Sequence, residues 1–262
     1  MKLHATAGRK APNLRPRHLV LAVLAACQGN VFAAEPLTRL EAVEVIGTTP
    51  LHGIELPLER VPANVQLVRD KALDDQHSLT IADFMADNLA GVNVNDTQNN
   101  PFQPNVNYRG FTASPLLGTP QGLSVYQDGV RINEPFGDVV SWDLIPVNAL
   151  AGMTMMPGSN PLFGLNTLGG AISMQTKRGH THRGGAVELS GGAWGRYNAQ
   201  VEYGGASANG VDYFLAGNYF DEDGWRDASP SEVRQLFGQV GWRNDRTDLN
   251  LTLTLADNDL IG

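Results

Sequence analysis

From Gly184 onward, apolar and polar side chains take turns along the chain with a period of two. Val187-Glu188-Leu189-Ser190 opens the pattern, and Tyr197, Ala199, Val201 and Tyr203 then alternate with Asn198, Gln200 and Glu202. Val211, Tyr213, Leu215 and Tyr219 share a face opposite Asp212 and Asn218. Leu236, Val240 and Trp242 oppose Gln235, Gln239 and Arg243, while Leu249, Leu251, Leu253 and Leu255 alternate with Asn250, Thr252 and Thr254. Successive side chains of a strand point to opposite faces, so each stretch predicts a strand with one apolar and one polar row. Polar turns such as Ala208-Asn209-Gly210 and Asn244-Asp245-Arg246 join them into a five-stranded antiparallel meander. A half-buried soluble sheet would show this pattern, and so would a barrel with lipid outside and water inside. The polar rows carry Asn, Gln, Glu and Thr with almost no Lys, and Tyr197, Tyr203, Tyr213, Tyr219, Trp225 and Trp242 lie towards strand ends. Both features favour the barrel, whose aromatic girdles sit at the membrane interfaces.

Upstream, from Val61 to Arg178, the pattern is that of a mixed α/β domain. Val65-Gln66-Leu67-Val68 reads as a strand. Ile81, Phe84, Met85 and Leu89 recur at helical spacing, with Ser78 as the expected N-cap and Gly91 as the stop. Val92-Asn93-Val94 resumes extended structure. Leu123-Ser124-Val125-Tyr126, a turn at Asp128-Gly129 and Val130-Arg131-Ile132 predict a hairpin. Met153–Met156 and Ala171–Gln175 add two short strands, separated by a loop that includes the glycine-punctuated stretch 164–170. Residues 34–60 are polar and interrupted by Pro36, Pro50 and Pro57, with one apolar island at Val43-Glu44-Val45-Ile46. Four β-favouring residues cannot form a core, but they suit either strand addition to a partner's sheet edge or an ordinary linker.

The first 33 residues read as an export signal. Lys2, Arg9, Lys10, Arg15 and Arg17 precede the short apolar run Leu19–Ala26, and Val31-Phe32-Ala33 fits small-x-small cleavage. Leu24-Ala25-Ala26-Cys27 also resembles a lipobox, an alternative that would make Cys27 a lipidated N-terminus. Cleavage after Ala33 removes the one cysteine and leaves 14 basic residues against 27 acidic ones, a formal net charge of −13. A mature chain this acidic is a poor nucleic-acid binder. Enzymatic chemistry finds no frame either. His180-x-His182 lacks a cysteine or carboxylate at ligand spacing, Gly164, Gly169 and Gly170 are not followed by a phosphate-loop Lys-Ser/Thr, and Ser159 has no nucleophile elbow.

The order of these parts, and a collinear set of motifs from Glu59 to Lys177, resembles the TonB-dependent receptor family. Glu59-Arg60-Val61-Pro62-Ala63-Asn64-Val65 is similar to the family's opening plug strand, and Asp83–Val92 to its next element, with Ala90 where proline is usual. Asn107-Tyr108-Arg109-Gly110-Phe111 and Val125-Tyr126-Gln127-Asp128-Gly129-Val130 match its Arg-Gly and Asp-Gly-Val elements. Phe163-Gly164-Leu165-Asn166-Thr167-Leu168-Gly169-Gly170-Ala171-Ile172-Ser173 matches the glycine-rich run that closes the plug. Gly152-Met153-Thr154-Met155-Met156-Pro157-Gly158 departs from the pattern, lacking the charges usual there.

The resemblance implies an α+β plug domain (61–178) followed by the first antiparallel strands (184–262) of an incomplete transmembrane β-barrel in the outer membrane. It implies uptake of a scarce small-molecule or metal-chelate ligand, such as an iron–siderophore complex or cobalamin, with no cofactor and no catalytic residues. Ala42, Val43, Glu44, Val45, Ile46 and Gly47 become the TonB box, the strand to which the partner protein TonB adds. Arg109 becomes a plug arginine that pairs with the barrel wall, with Asp128, Gly129, Gly164, Gly169 and Gly170 as plug-motif residues. Asn99, Asn100, Phe102 and Gln103 become candidate ligand-loop residues, with Thr112–Thr119 beside them. Five strands do not close a barrel, so the sequence reads as an N-terminal fragment that would not transport alone. A soluble periplasmic binding module and an outer-membrane lipoprotein remain the alternatives.

Overall fold

The computed structural model describes the backbone of Val45–Gly47 and Glu55–Pro57 and the whole of residues 60–261. The expected signal segment, Cys27 and the residues Ala42, Val43 and Glu44 lie outside the described residues. Strands β1 (Val45–Gly47) and β2 (Glu55–Pro57) pair antiparallel, Val45 opposite Pro57.

The plug is built on a five-stranded mixed sheet. Its strands are β3 (Gln66–Arg69), β7 (Leu123–Gln127), β8 (Val130–Arg131), β9 (Leu150–Pro157) and β10 (Gly170–Thr176), ordered β3-β9-β10-β7-β8. Only β7 and β10 run parallel. A smaller antiparallel sheet joins β4 (Val92–Asn95), β5 (Asn105–Tyr108) and β6 (Phe111–Ala113). Helices α1 (Asp70–Gln76) and α2 (Ile81–Asn88) pack on these sheets, with Leu73, Ile81, Phe84 and Met85 buried among Val68, Val125, Met153, Met155, Ile172 and Met174.

Two local expectations are corrected. The N-cap of α2 is Thr80, not Ser78: Thr80 Oγ1 accepts a hydrogen bond from the Asp83 backbone N–H at 3.1 Å. Leu89 is not a helical residue but the C-cap, its N–H donating to Met85 O, and Gly91 makes the turn beyond it at φ 82°. Helix α1 is not expected from the sequence, because DKALDDQ offers only the adjacent apolar pair Ala72-Leu73 and so no periodicity.

The meander consists of β11 (Gly184–Gly191), β12 (Tyr197–Ala206), β13 (Val211–Glu222), β14 (Ser231–Arg243) and β15 (Asp248–Leu260), paired in sequence order and antiparallel throughout. Among the described strands the sheet is open, β11 and β15 forming its two edges. Its burial is inverted. Leu251 and Leu253 are 73% and 61% exposed, whereas Gln239 is fully buried and Gln235 and Asn218 are nearly so. Polar side chains are inside because the plug lies against that face. The inner rows are not purely polar: Phe214, Ala216 and Phe237 cluster with plug residue Ala149, and Phe220 and Val233 with Phe102. These residues meet the plug rather than water, a partner that period-two reading of the strands alone does not supply.

Candidate functional site

The outer rows read as a lipid surface in geometry as well as sequence. Val187, Leu189, Val201, Leu215, Leu236, Val240, Leu249 and Leu255 are all exposed. Tyr197 packs on Tyr219 and Tyr203 on Tyr213, with ring centroids 6.4 and 6.1 Å apart. The two pairs are separated by six residues on each strand, about 20 Å of extended chain, so they bracket a belt of membrane scale.

The inner rows grip the plug. Asn148 Nδ2 donates to Val201 O (3.2 Å) and Gly217 O (3.1 Å), reaching the strand backbone from a plug turn. Gln235 bridges Asn218 Nδ2 (2.9 Å) and Asp143 O (2.5 Å), and Asn258 Nδ2 donates to Asp143 Oδ2 at 2.7 Å. Burial pushes the Asp143 carboxyl above its ordinary range, only partly offset by hydrogen bonds from its own backbone, Asn258 and Gln103.

A buried cation fixes the end of the plug. Lys177, 1% exposed, directs Nζ to Glu202 Oε2 on β12 at 2.9 Å and to Asp74 Oδ1 on α1 at 3.1 Å. Its neighbour Arg178 forms a two-pronged pair with Asp248 on β15, 2.7 and 3.0 Å. That bond raises the Arg178 pKa. His77 at the end of α1 meets Glu188 on β11 at 3.0 Å. Lys177 and Arg178 at the plug's C-terminal end and His77 on the plug thus face carboxylates of the meander. Sequence reasoning passed over Lys177, Asp74 and Glu202; the available signals were a lysine at a strand end and carboxylates in the inward rows.

Arg109 takes no part in these pairs. It sits at φ 51° in the β5–β6 turn, exposed, with its guanidinium 5.1 Å from the Tyr108 ring centroid, and among the described residues it forms no ion pair. Asp128 and Gly129, at φ 49° and 80°, form the β7–β8 turn. The Asp128 carboxylate accepts from Thr176 N (2.9 Å) and Thr176 Oγ1 (2.7 Å), tying the hairpin to the end of β10. Gly164 turns at φ 78°. Gly169 and Gly170 are close approaches: a Cβ would lie 2.4 Å from Phe111 Cβ and from Met156 O respectively.

In the expected ligand loop, Asn100 and Phe102 face inward, 1% and 3% exposed. Asn100 Oδ1 accepts from the backbone N–H of Phe102 (3.1 Å) and Gln103 (2.9 Å), an Asx-type turn, and the Phe102 ring packs edge-on against Phe220 at 5.0 Å. Asn99 is exposed at the tip, bonded to Arg226 in the β13–β14 turn, and Gln103 is half-buried. Of the four, only Asn99 is exposed. His180 and His182 face Asp212 and Asp70, and no group of three metal-ligating side chains occurs among the described residues.

A mixed plug seated on the polar face of an antiparallel meander with an apolar outer face has the architecture of a plug against the wall of an outer-membrane β-barrel. Residues 57–171 match the TonB-dependent Receptor Plug Domain, so the chain carries that plug domain. It is 25% identical over 195 residues to the vitamin B12 transporter BtuB of Vibrio vulnificus (strain CMCP6), covering 72% of this chain and 31% of that one. The ferripyoverdine receptor of the outer membrane of Pseudomonas aeruginosa superposes with a TM-score of 0.64 at 20% identity, over 82% of this chain and 27% of that one. The siderophore receptor PiuA from Acinetobacter baumannii gives a TM-score of 0.60 at 17% identity, over 78% and 27%. The chain therefore spans under a third of the length of these relatives. The named relatives are a transporter and two receptors.

Proposed function

We propose that this chain is the plug and first barrel strands of a receptor that imports a scarce ligand, an iron–siderophore complex or cobalamin, driven by TonB. The observation that carries this reading is the Lys177-centred grip of a matched plug on the inner face of strands whose outer face is apolar. A wide barrel needs a stopper. One held by hydrogen bonds and ion pairs to a polar wall is retained at rest and is released under load. The named relatives carry vitamin B12 and siderophores, which supports the ligand class.

In this reading Ala42–Gly47 is the TonB box and residues 61–178 are the plug. Val45–Gly47 is already extended, and in the two-stranded sheet with β2 its other edge is unpaired among the described residues. Strand addition at that edge rests on backbone hydrogen bonds. Asn99 at the loop tip is the favoured ligand contact of the set, because Asn100 and Phe102 are occupied in packing. Proline at position 45 removes a backbone donor and fixes φ. In cells carrying the whole receptor, Val45→Pro is expected to abolish growth on the imported iron or vitamin source while ligand binding to cells is retained. Undiminished uptake by that variant would refute the strand-addition mechanism.

A further inference from the structure

Along β13 and β14 the wall presses on the plug: Phe214, Ala216, Phe237 and Gln239 are all but sealed from solvent. The inner row of β15 is different. Its polar side chains are latched to the plug near both ends, Asp248 by the Arg178 pair and Asn258 by its bond to Asp143. Asp248 and Asn258 stand ten residues apart on the strand, about 33 Å of extended chain. Between these latches Asn250 and Thr252 are exposed and Thr254 is half-buried, although all three belong to the plug-facing row.

The gap is a cavity of about 900 Å³, walled by Gln127, Val130 and Ser141 of the plug and by Asn250, Thr252 and Thr254 of β15. Small-molecule sites commonly enclose about 300–1,000 Å³. Charges at its margins nearly balance, Asp128, Glu134 and Asp248 against Arg178 and Arg243, so the lining selects hydrogen-bonding groups rather than one sign of charge. One of its walls is lightly held. Strand β8 ends the plug sheet, pairs with β7 over two residues only, and presents Val130 to the gap. The turn before it is tied down by the two bonds from Thr176 to Asp128. On the opposite flank Asn148 bonds the plug directly to the backbone of β12 and β13. A short, exposed hairpin opens at lower cost than a buried sheet.

We propose that the ligand crosses on this side of the plug, through the groove between the β7–β8 hairpin and β15. The hairpin is the wall that moves, and the Asp143 and Arg178 contacts are the stops at the two ends. The groove suits a cargo rich in amide and hydroxyl groups. This inference rests on the reading of the chain as part of an importing receptor, and adds the route and the chemistry of what passes.

Two measurements test it. In the whole receptor in detergent micelles, a small water-soluble thiol reagent is expected to label Thr252→Cys about tenfold faster than Asn218→Cys, which faces the closed part of the seam. Equal rates overturn the groove, and this readout needs no ligand. In cells, Thr252→Trp and Thr254→Trp place a bulky ring in the groove and are expected to slow uptake of the imported iron or vitamin source about tenfold. Binding of that source to the cells is retained, and Leu253→Trp, on the outer face between them, leaves uptake unchanged. Full-rate uptake with the groove filled overturns the proposal. So does loss of binding together with uptake in receptor that reaches the membrane at the unmodified level, since the groove would then be a resting site and not a route. Absence of uptake by the unmodified receptor would refute the receptor reading and the route with it, whereas the labelling rates report on the groove alone.

Discussion

The plug and the meander obey opposite burial rules within one chain. In the plug, Phe84, Met85, Val125 and Ile172 are sealed from solvent, as in any water-soluble core. In the meander, Leu251, Leu253 and Val240 are outside and Gln239, Asn218 and Asp212 are inside. The same hydrophobic effect explains both, once the plug is surrounded by water and polar wall and the meander by hydrocarbon. The contrast teaches that apolar period alone says which residues share a face. It does not say which solvent that face meets.

The sharpest way to break the contrast is from the plug side. Phe84→Ala leaves a cavity between α2 and the mixed sheet and is expected to cost about 3–5 kcal/mol. Urea unfolding of the plug, followed by exchange at Ile172 and Met174, measures it, and a cost under about 1 kcal/mol would deny that this core is closely packed. Next in size, Leu251→Arg puts a charge on the outer row and is expected to destabilise the lipid-embedded receptor by about 2–4 kcal/mol. A surface leucine in a soluble sheet would tolerate the same change within about 0.5 kcal/mol, so denaturation in vesicles separates the two environments.

A smaller effect sharpens the seam between the regions. Burial holds the Asp143 carboxyl above its ordinary pKa, so folding loses stability as pH rises from about 4, the usual aspartate value, to the raised one. The cost then persists at neutral pH. Asp143→Asn keeps an acceptor for Asn258 and is expected to remove this fall from the pH–stability curve; an unchanged curve would place the titration elsewhere.

Much of the meander was legible because strand alternation is a local signal. The rows Leu249–Leu255 and Tyr197–Tyr203 fall in β15 and β12 as expected. Helix α2 was legible through Ile81, Phe84 and Met85, although two nearby hydroxyls, Ser78 and Thr80, compete as caps and only coordinates decide between them. The order β3-β9-β10-β7-β8 was not legible, since the parallel pairing of β7 with β10 joins residues 47 apart, Leu123 with Gly170 for one. Nor was the grip of Lys177 on Glu202 and Asp74, where one partner lies 103 residues away. Arg109 drew notice through its motif, but the structure gives the ion pairing to Lys177 and Arg178, which stand where the plug's last strand meets the wall.

The central claim is that the leucine rows meet hydrocarbon while the glutamine and asparagine rows meet the plug. A nitroxide attached at Leu253→Cys in the receptor reconstituted into vesicles reads this directly. The account predicts frequent collisions with dissolved oxygen and few with a water-soluble nickel chelate. Dominant collisions with the nickel chelate, or shielding from both probes, would place that row in water or in a protein core and contradict it.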